Sequence, residues 1–168
     1  MEYNNPSEIV KDLSFGKDAR EKIMAGVDKL TDAVRSTLGA SGKCVIYEDA
    51  LGRPVITKDG VTVAESVVLL DPVENIGATL IKEAAKNTVK EAGDGTTTAT
   101  VLAHSLLHLA NDKKYAQTVR PIKEGILSGM NKVIQYLDDN AVEVKDDMLE
   151  SVAEISCNND KALGKIIS

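Results

Sequence analysis

Gly93-Asp94-Gly95-Thr96-Thr97-Thr98-Ala99-Thr100 is the stretch on which the fold turns. Before it, Ile76, Leu80, Ile81, Ala84, Ala85, Thr88 and Val89 recur every three or four positions, so residues 75–91 read as one helical face ending at Gly93. After it, Val101, Leu102, Leu106 and Leu109 form the apolar set of a second helix. The glycines permit a tight turn between the two, and the free N–H groups of the second helix's first turn point at whatever occupies that turn. Such a helix start favours an anion. Three threonine hydroxyls add donors for phosphate oxygens, and Asp94 offers a carboxylate to a bound Mg²⁺. The same residues also suit a plain helix–helix turn with threonine caps, and no GxxxxGK[ST] pattern accompanies them.

Working outward, Ala19, Ile23, Val27, Leu30, Val34 and Leu38 predict a long amphipathic helix over 18–38 that stops at Gly39. Residues 44–47 and 55–57 read as short strands, and the turn-rich Glu48–Pro54 between them makes the pair a hairpin. A lone two-stranded hairpin is marginal in water, so it needs a surface to lean on. Residues 61–70 are apolar and fit strand or helix equally. A third long helix is expected over 119–137, with Pro121 in its first turn, then a polar boundary at 138–147 and two short helices. The fold class is mainly α with a small β-hairpin.

Composition narrows the function classes. The 168 residues carry 20 basic and 26 acidic side chains, a net charge of −6, which disfavours sequence-independent attraction to nucleic acid or an anionic membrane. Aromatic residues make up 3%, with no Trp, so stacking platforms for single-stranded nucleic acid are lacking. The polar opening segment and the lack of a bilayer-length apolar run lead us to expect an intracellular, cytoplasmic protein. Cys44 and Cys157 have no CxxC spacing and are expected to be reduced, packed thiols. His104, His108 and Asp112 fall on one helical face, where two histidines one turn apart can bind zinc. Without an HExxH glutamate or an evident fourth ligand, a solvated polar stripe is the expectation.

GDGTTTAT followed by Val101-Leu102-Ala103 resembles the phosphate-loop signature of GroEL-type (group I) chaperonins. Phe15–Arg20, Thr37-Leu38-Gly39 and Ile56–Val61 are similar to further segments of that family, in the same order. Glu74–Ala78 continues the likeness, and Ile155-Ser156 and Leu163–Lys165 resemble the start of its intermediate domain. The resemblance implies the N-terminal half of an equatorial, ATP-binding domain over 1–140 and the start of an intermediate domain over 141–168. It also implies the ligands, ATP and Mg²⁺, and an ATPase subunit of a protein-folding machine. By the same resemblance Thr37, Leu38, Gly39 and Ala40 line the base and ribose side, Lys58 approaches the phosphates, and Gly95, Thr96, Thr97 and Thr98 wrap them. Asp94 then ligates Mg²⁺ and Asp59 orients the attacking water.

The implied partners are ring neighbours, reached through the hairpin, together with unfolded client proteins and a possible co-chaperonin. Two departures stand out: Ala40 replaces the family's usual Pro, and Ala116–Pro121 replaces a Gly-Met-Asn-Pro-type helix entry. A second catalytic aspartate, further nucleotide contacts and the client-binding apical domain belong to parts of the family's architecture outside these 168 residues. The chain therefore reads as cut off inside a larger protein. The competing reading is a short interaction protein that keeps the ring-contact surfaces without turning over ATP.

Overall fold

The computed structural model describes residues 12–39, 41–112, 119–157 and 159–168. Its helices are α1 (Gly16–Arg35), α2 (Gly60–Ser66), α3 (Pro72–Ala92), α4 (Thr96–Asn111), α5 (Val119–Asn140), α6 (Asp146–Ser156) and α7 (Lys161–Ile167). Strands β1 (Val45–Glu48) and β2 (Pro54–Thr57) lie between α1 and α2 and pair antiparallel, Val45 opposite Thr57 and Ile46 opposite Ile56. Two compact units result: α1 to α4 with the hairpin form one, and α5 to α7 the other. This mainly α fold with a small hairpin is the one expected from the sequence.

The first unit is built on the crossing of α1 and α3. Val27, Leu30 and Val34 of α1, Val63 and Ala64 of α2, and Ala78 and Ile81 of α3 form its buried core. Two glycines set how closely the helices approach. A Cβ on Gly26 would lie 1.8 Å from the Glu74 carbonyl oxygen, and one on Gly77 would lie 2.0 Å from that of Ile23. Small residues at both crossing points bring backbone against backbone, which raises contact density in a core poor in aromatic residues. At the rim of the crossing, Lys22 pairs with Asp71 at 2.9 Å and Lys29 with Glu74 at 2.5 Å.

Local chemistry accounts for the boundaries. Asp71 caps α3 by accepting from the Val73 and Glu74 N–H groups, and Pro72 occupies the first turn, where its missing N–H costs little. Together they extend this helix three residues ahead of the apolar periodicity. α1 ends at Arg35 rather than Leu38, because Thr37 N–H turns back to Val34 O at 3.0 Å and Leu38 N–H to Arg35 O at 3.0 Å. These i→i−3 bonds tighten the helix end into turns. The ambiguous 61–70 segment resolves as helix up to Ser66, because Asp59 provides a cap that apolar periodicity alone does not reveal.

Val45 leans on the core beside α1, whereas Ile46 and Ile56, cross-strand partners, are both exposed. The 49–53 loop is tied by Asp49, whose carboxylate accepts from the N–H groups of Leu51 and Arg53 and from the Arg53 guanidinium. These bonds, with the Arg53 backbone N–H foremost, hold the Asp49 carboxyl below the usual carboxylate range.

In the second unit, α5 is amphipathic in sequence, yet Ile126, Met130, Val133, Ile134 and Leu137 are all exposed. α6 and α7 meet closely at Gly164, where a Cβ would lie 2.7 Å from the Glu154 Cα. α5 groups by compactness with α6 and α7 and continues through Asn140.

Candidate nucleotide site

Three turns of the first unit carry the expected site residues. The first follows α1 and contains Thr37, Leu38 and Gly39. Thr37 Oγ1 donates to Val34 O at 2.7 Å, Gly39 takes φ +76°, and Lys43 N–H closes back onto Ser36 O at 2.8 Å. Gly42 packs so tightly inside this loop that a Cβ would lie 2.2 Å from the Thr37 carbonyl oxygen. Ala40 lies outside the described residues, as do Ala116, Gln117 and Thr118 of the second divergent segment.

The second turn is Lys58-Asp59-Gly60. The exposed Lys58 leads into Asp59, whose carboxylate caps α2, accepting from the Thr62 N–H at 2.9 Å, Thr62 Oγ1 at 2.5 Å and the Val61 N–H at 3.4 Å. Partial burial alone would raise the Asp59 carboxyl, but the bonds from Thr62 and Val61 outweigh it and hold the group below its ordinary range. Asp59 is therefore ionised and fixed in direction at neutral pH. That suits a cap as well as a group that orients a water.

The third turn is the Gly93–Thr98 loop. Gly93 at φ +75° closes α3, its N–H bonded to Val89 O at 2.8 Å, and Gly95 at φ +85° opens α4. Left-handed backbone on both sides of Asp94 is available to glycine at little cost and to other residues at about 1 kcal/mol or more. Among the described residues no side chain caps α4. Its first-turn N–H groups are consequently open to an external acceptor, and the helix dipole adds to their pull on an anion. Asp94 is exposed, and its Oδ1 accepts from the Gly95 N–H at 2.6 Å.

The threonines divide by environment. Thr96 is buried, and its carbonyl accepts from Oγ1 of the fully buried Thr100 at 2.9 Å. Thr97 is half-buried and Thr98 exposed.

What joins the turns is Gly60. A Cβ there would lie 2.2 Å from Thr97 Oγ1 and 3.5 Å from Val34 Cγ1, so the second turn touches the third while resting on the end of α1 that feeds the first. Segments widely spaced in sequence thus meet within one unit. By fold and local chemistry this is an α-helical domain with an open helix N-terminus suited to an anion.

Comparison with known proteins gives the family. The model of the TCP-1/cpn60 chaperonin family matches residues 30–168, and the chain belongs to that family. Among solved structures, the chaperonin gp146 from the bacteriophage EL 2 (Pseudomonas aeruginosa), crystallised in the presence of ATP-BeFx, is 36% identical with a TM-score of 0.79 in each of two crystal forms. That match covers 90% of this chain and 27% of the phage chaperonin. A group III chaperonin in the open state is 30% identical with a TM-score of 0.74, covering 89% of this chain and 30% of that one. This chain spans less than a third of the length of either relative.

Sequence reasoning missed two parts of this region. The histidine stripe is not simply solvated: His104 keeps 15% of its side chain exposed, and both imidazoles reach Asp28 of α1. The third member of the group is Asp28 rather than Asp112. Nothing along the chain signals a pairing across more than seventy residues. Cys44, expected to be packed, is exposed, because the strand alternation puts it on the same outward face as Ile46 and Glu48. No helix among the described residues is long and apolar enough to cross a membrane.

Proposed function

We propose that this chain is the nucleotide-binding part of an ATP-driven chaperonin subunit of the GroEL-like, group I branch, with residues 1–140 equatorial and 141–168 opening the intermediate domain. The observation that carries the reading is the contact of Gly60 with Thr97, which draws Lys58-Asp59 against an uncapped helix start. The first-turn N–H groups of α4, with the hydroxyls of Thr97 and Thr98, cradle a polyphosphate, and Gly95 lets the backbone approach it. Thr37, Leu38 and Gly39 take the nucleoside end, the part that the resemblance also gives to Ala40. Lys58 offsets phosphate charge, and Asp94 is the carboxylate that would hold Mg²⁺. Magnesium-bound ATP supplies an electrophilic phosphoryl group there. Asp59, ionised and oriented by Thr62 and Val61, holds a water by accepting its hydrogen bond.

Ring neighbours docking on the hairpin, client proteins handled by further domains, a possible co-chaperonin and a cytoplasmic setting belong to the same proposal. The exposed Ile46 and Ile56 support the hairpin's part in it. Calorimetric titration of the 168-residue chain with ATP and Mg²⁺ tests the reading. Saturable binding is expected, with Asp94→Ala weakening the Mg²⁺-dependent part at least about tenfold while the circular dichroism stays unchanged, as suits an exposed side chain. Binding that does not respond to Asp94→Ala would overturn it. In a ring-forming full-length subunit, Asp59→Asn should keep the cap of α2 and nucleotide affinity while slowing turnover, because Asn caps helices about as well as Asp.

A further inference from the structure

We propose that Asp28, His104 and His108 bind one transition-metal ion, with Zn²⁺ the reference case, between α1 and α4. His104 and His108 stand one turn apart on α4 with ring centroids 4.3 Å apart. Their Nε2 atoms converge on a single oxygen, Asp28 Oδ1, at 2.9 Å and 2.5 Å. All three ligand atoms lie within 4.8 Å of one another. A tetrahedral Zn²⁺ with bonds of about 2.0–2.1 Å keeps its ligands about 3.3–3.4 Å apart. The two nitrogen-to-oxygen distances need to open by a few tenths of an ångström to about one ångström, and the two imidazole nitrogens, no more than 4.8 Å apart, need to close to a similar spacing.

The donor set decides the class of ion. Two imidazole nitrogens and one carboxylate oxygen suit Zn²⁺, Co²⁺, Ni²⁺ or Cu²⁺, whereas Mg²⁺ and Ca²⁺ prefer oxygen throughout. The site is accordingly distinct in chemistry from Asp94, and it stands whether or not the nucleotide reading does. Three protein ligands leave a fourth position for water. His108, about half exposed, lies on the solvent side and gives the ion a way in.

Arg35 supplies an internal competitor. Its NH2 group meets His104 Nδ1 at 3.1 Å. A guanidinium only donates, so Nδ1 is the acceptor and the imidazole proton sits on Nε2, directed at Asp28. Metal ligation through Nε2 needs that lone pair, which moves the proton to Nδ1 and turns the Arg35 contact into donor against donor. Arg35 must then swing away, and Asp32 on the same helix, already 3.8 Å from NH1, is ready to receive it. An ion held here would cross-brace the helix that leads into Thr37–Gly39 to the helix that begins at Thr96.

Titration of the tag-free 168-residue chain with Co²⁺, read by visible absorption and followed by Zn²⁺ displacement, tests the proposal. One Co²⁺ per chain with the intense band of a tetrahedral site is expected. His104→Asn and His108→Asn should each weaken binding about tenfold or more, and Arg35→Met should tighten it several-fold. His108→Asn should leave the thermal midpoint nearly unchanged, so its effect on binding reports ligation rather than folding. Absence of stoichiometric binding, affinity indifferent to His108→Asn, failure of Arg35→Met to tighten it, or a thiolate charge-transfer band that vanishes in a C44S/C157S double variant would each overturn the assignment.

Discussion

α1 and α5 have much the same sequence pattern, apolar residues every three or four positions over about five turns, and opposite fates. Val27, Leu30 and Val34 of α1 are buried to within 1%, while Met130, Val133 and Leu137 of α5 remain roughly half exposed or more. Glycine placement runs in parallel. Gly26 on α1 and Gly77 on α3 meet backbone, whereas a Cβ on Gly125 or Gly129 of α5 would meet nothing within 4 Å among the described residues. Amphipathic spacing states that a helix needs a partner. It does not state which one, and close-approach glycines are the mark of a helix whose partner is already in place.

The sharpest way to break this comparison is Gly26→Ala. In an open helix the change gains about 1 kcal/mol. Here the new methyl would stand 1.8 Å from a carbonyl oxygen, so the helices must separate, and a net loss of about 3 kcal/mol is expected, at the upper end of overpacking costs. Urea denaturation measures it, and a neutral result would mean that the α1–α3 crossing is looser than described.

A smaller effect of opposite sign is expected inside the same helix. Thr31 is fully buried, and its Oγ1 has no hydrogen-bond partner among the described residues. Thr31→Val removes that unpaired hydroxyl while keeping the shape, for an expected gain of about 1 kcal/mol in the same denaturation assay.

At the edge of the core, Asp59→Ala should cost about 1 kcal/mol through the lost cap of α2. Because the folded-state carboxyl lies below its unfolded value, this contribution is present above the ordinary carboxylate range and lost as pH falls through the depressed one. The gap in thermal midpoint between wild type and Asp59→Ala should thus narrow on acidification. A gap constant down to strongly acidic pH would remove the cap from the account.

The smallest effect belongs to α5. Gly125→Ala and Gly129→Ala should each stabilise it by about 0.5 kcal/mol or somewhat more, read as increased helicity and a higher unfolding midpoint. Destabilisation instead would reveal a surface packed against those positions.

Much of this could be read along the chain. The α1 periodicity, the hairpin, the turn between α3 and α4 and the family resemblance all rest on signals local to a few dozen residues. The rest is non-local. Gly60 reads as an ordinary turn residue until Thr97 is placed beside it, the three threonines read as equivalent until the structure buries Thr96 and leaves Thr98 exposed, and Asp28 gives no sign of the two histidines it meets. Nor could the exact end of α1 be found from apolar spacing, since Leu38 keeps the helical period while its N–H has already turned to Arg35.

Gly93 and Gly95 differ in kind from Gly26 and Gly77, and the difference is one of chirality. The former are set by dihedral sign rather than by lack of room, since a Cβ on Gly93 would meet nothing within 4 Å among the described residues. The loop between α3 and α4 is in effect a short passage of mirror-image backbone on either side of one aspartate. A D-alanine introduced at Gly93 by chemical synthesis would find its own preferred conformation there, stiffening the loop where its L-enantiomer would strain it.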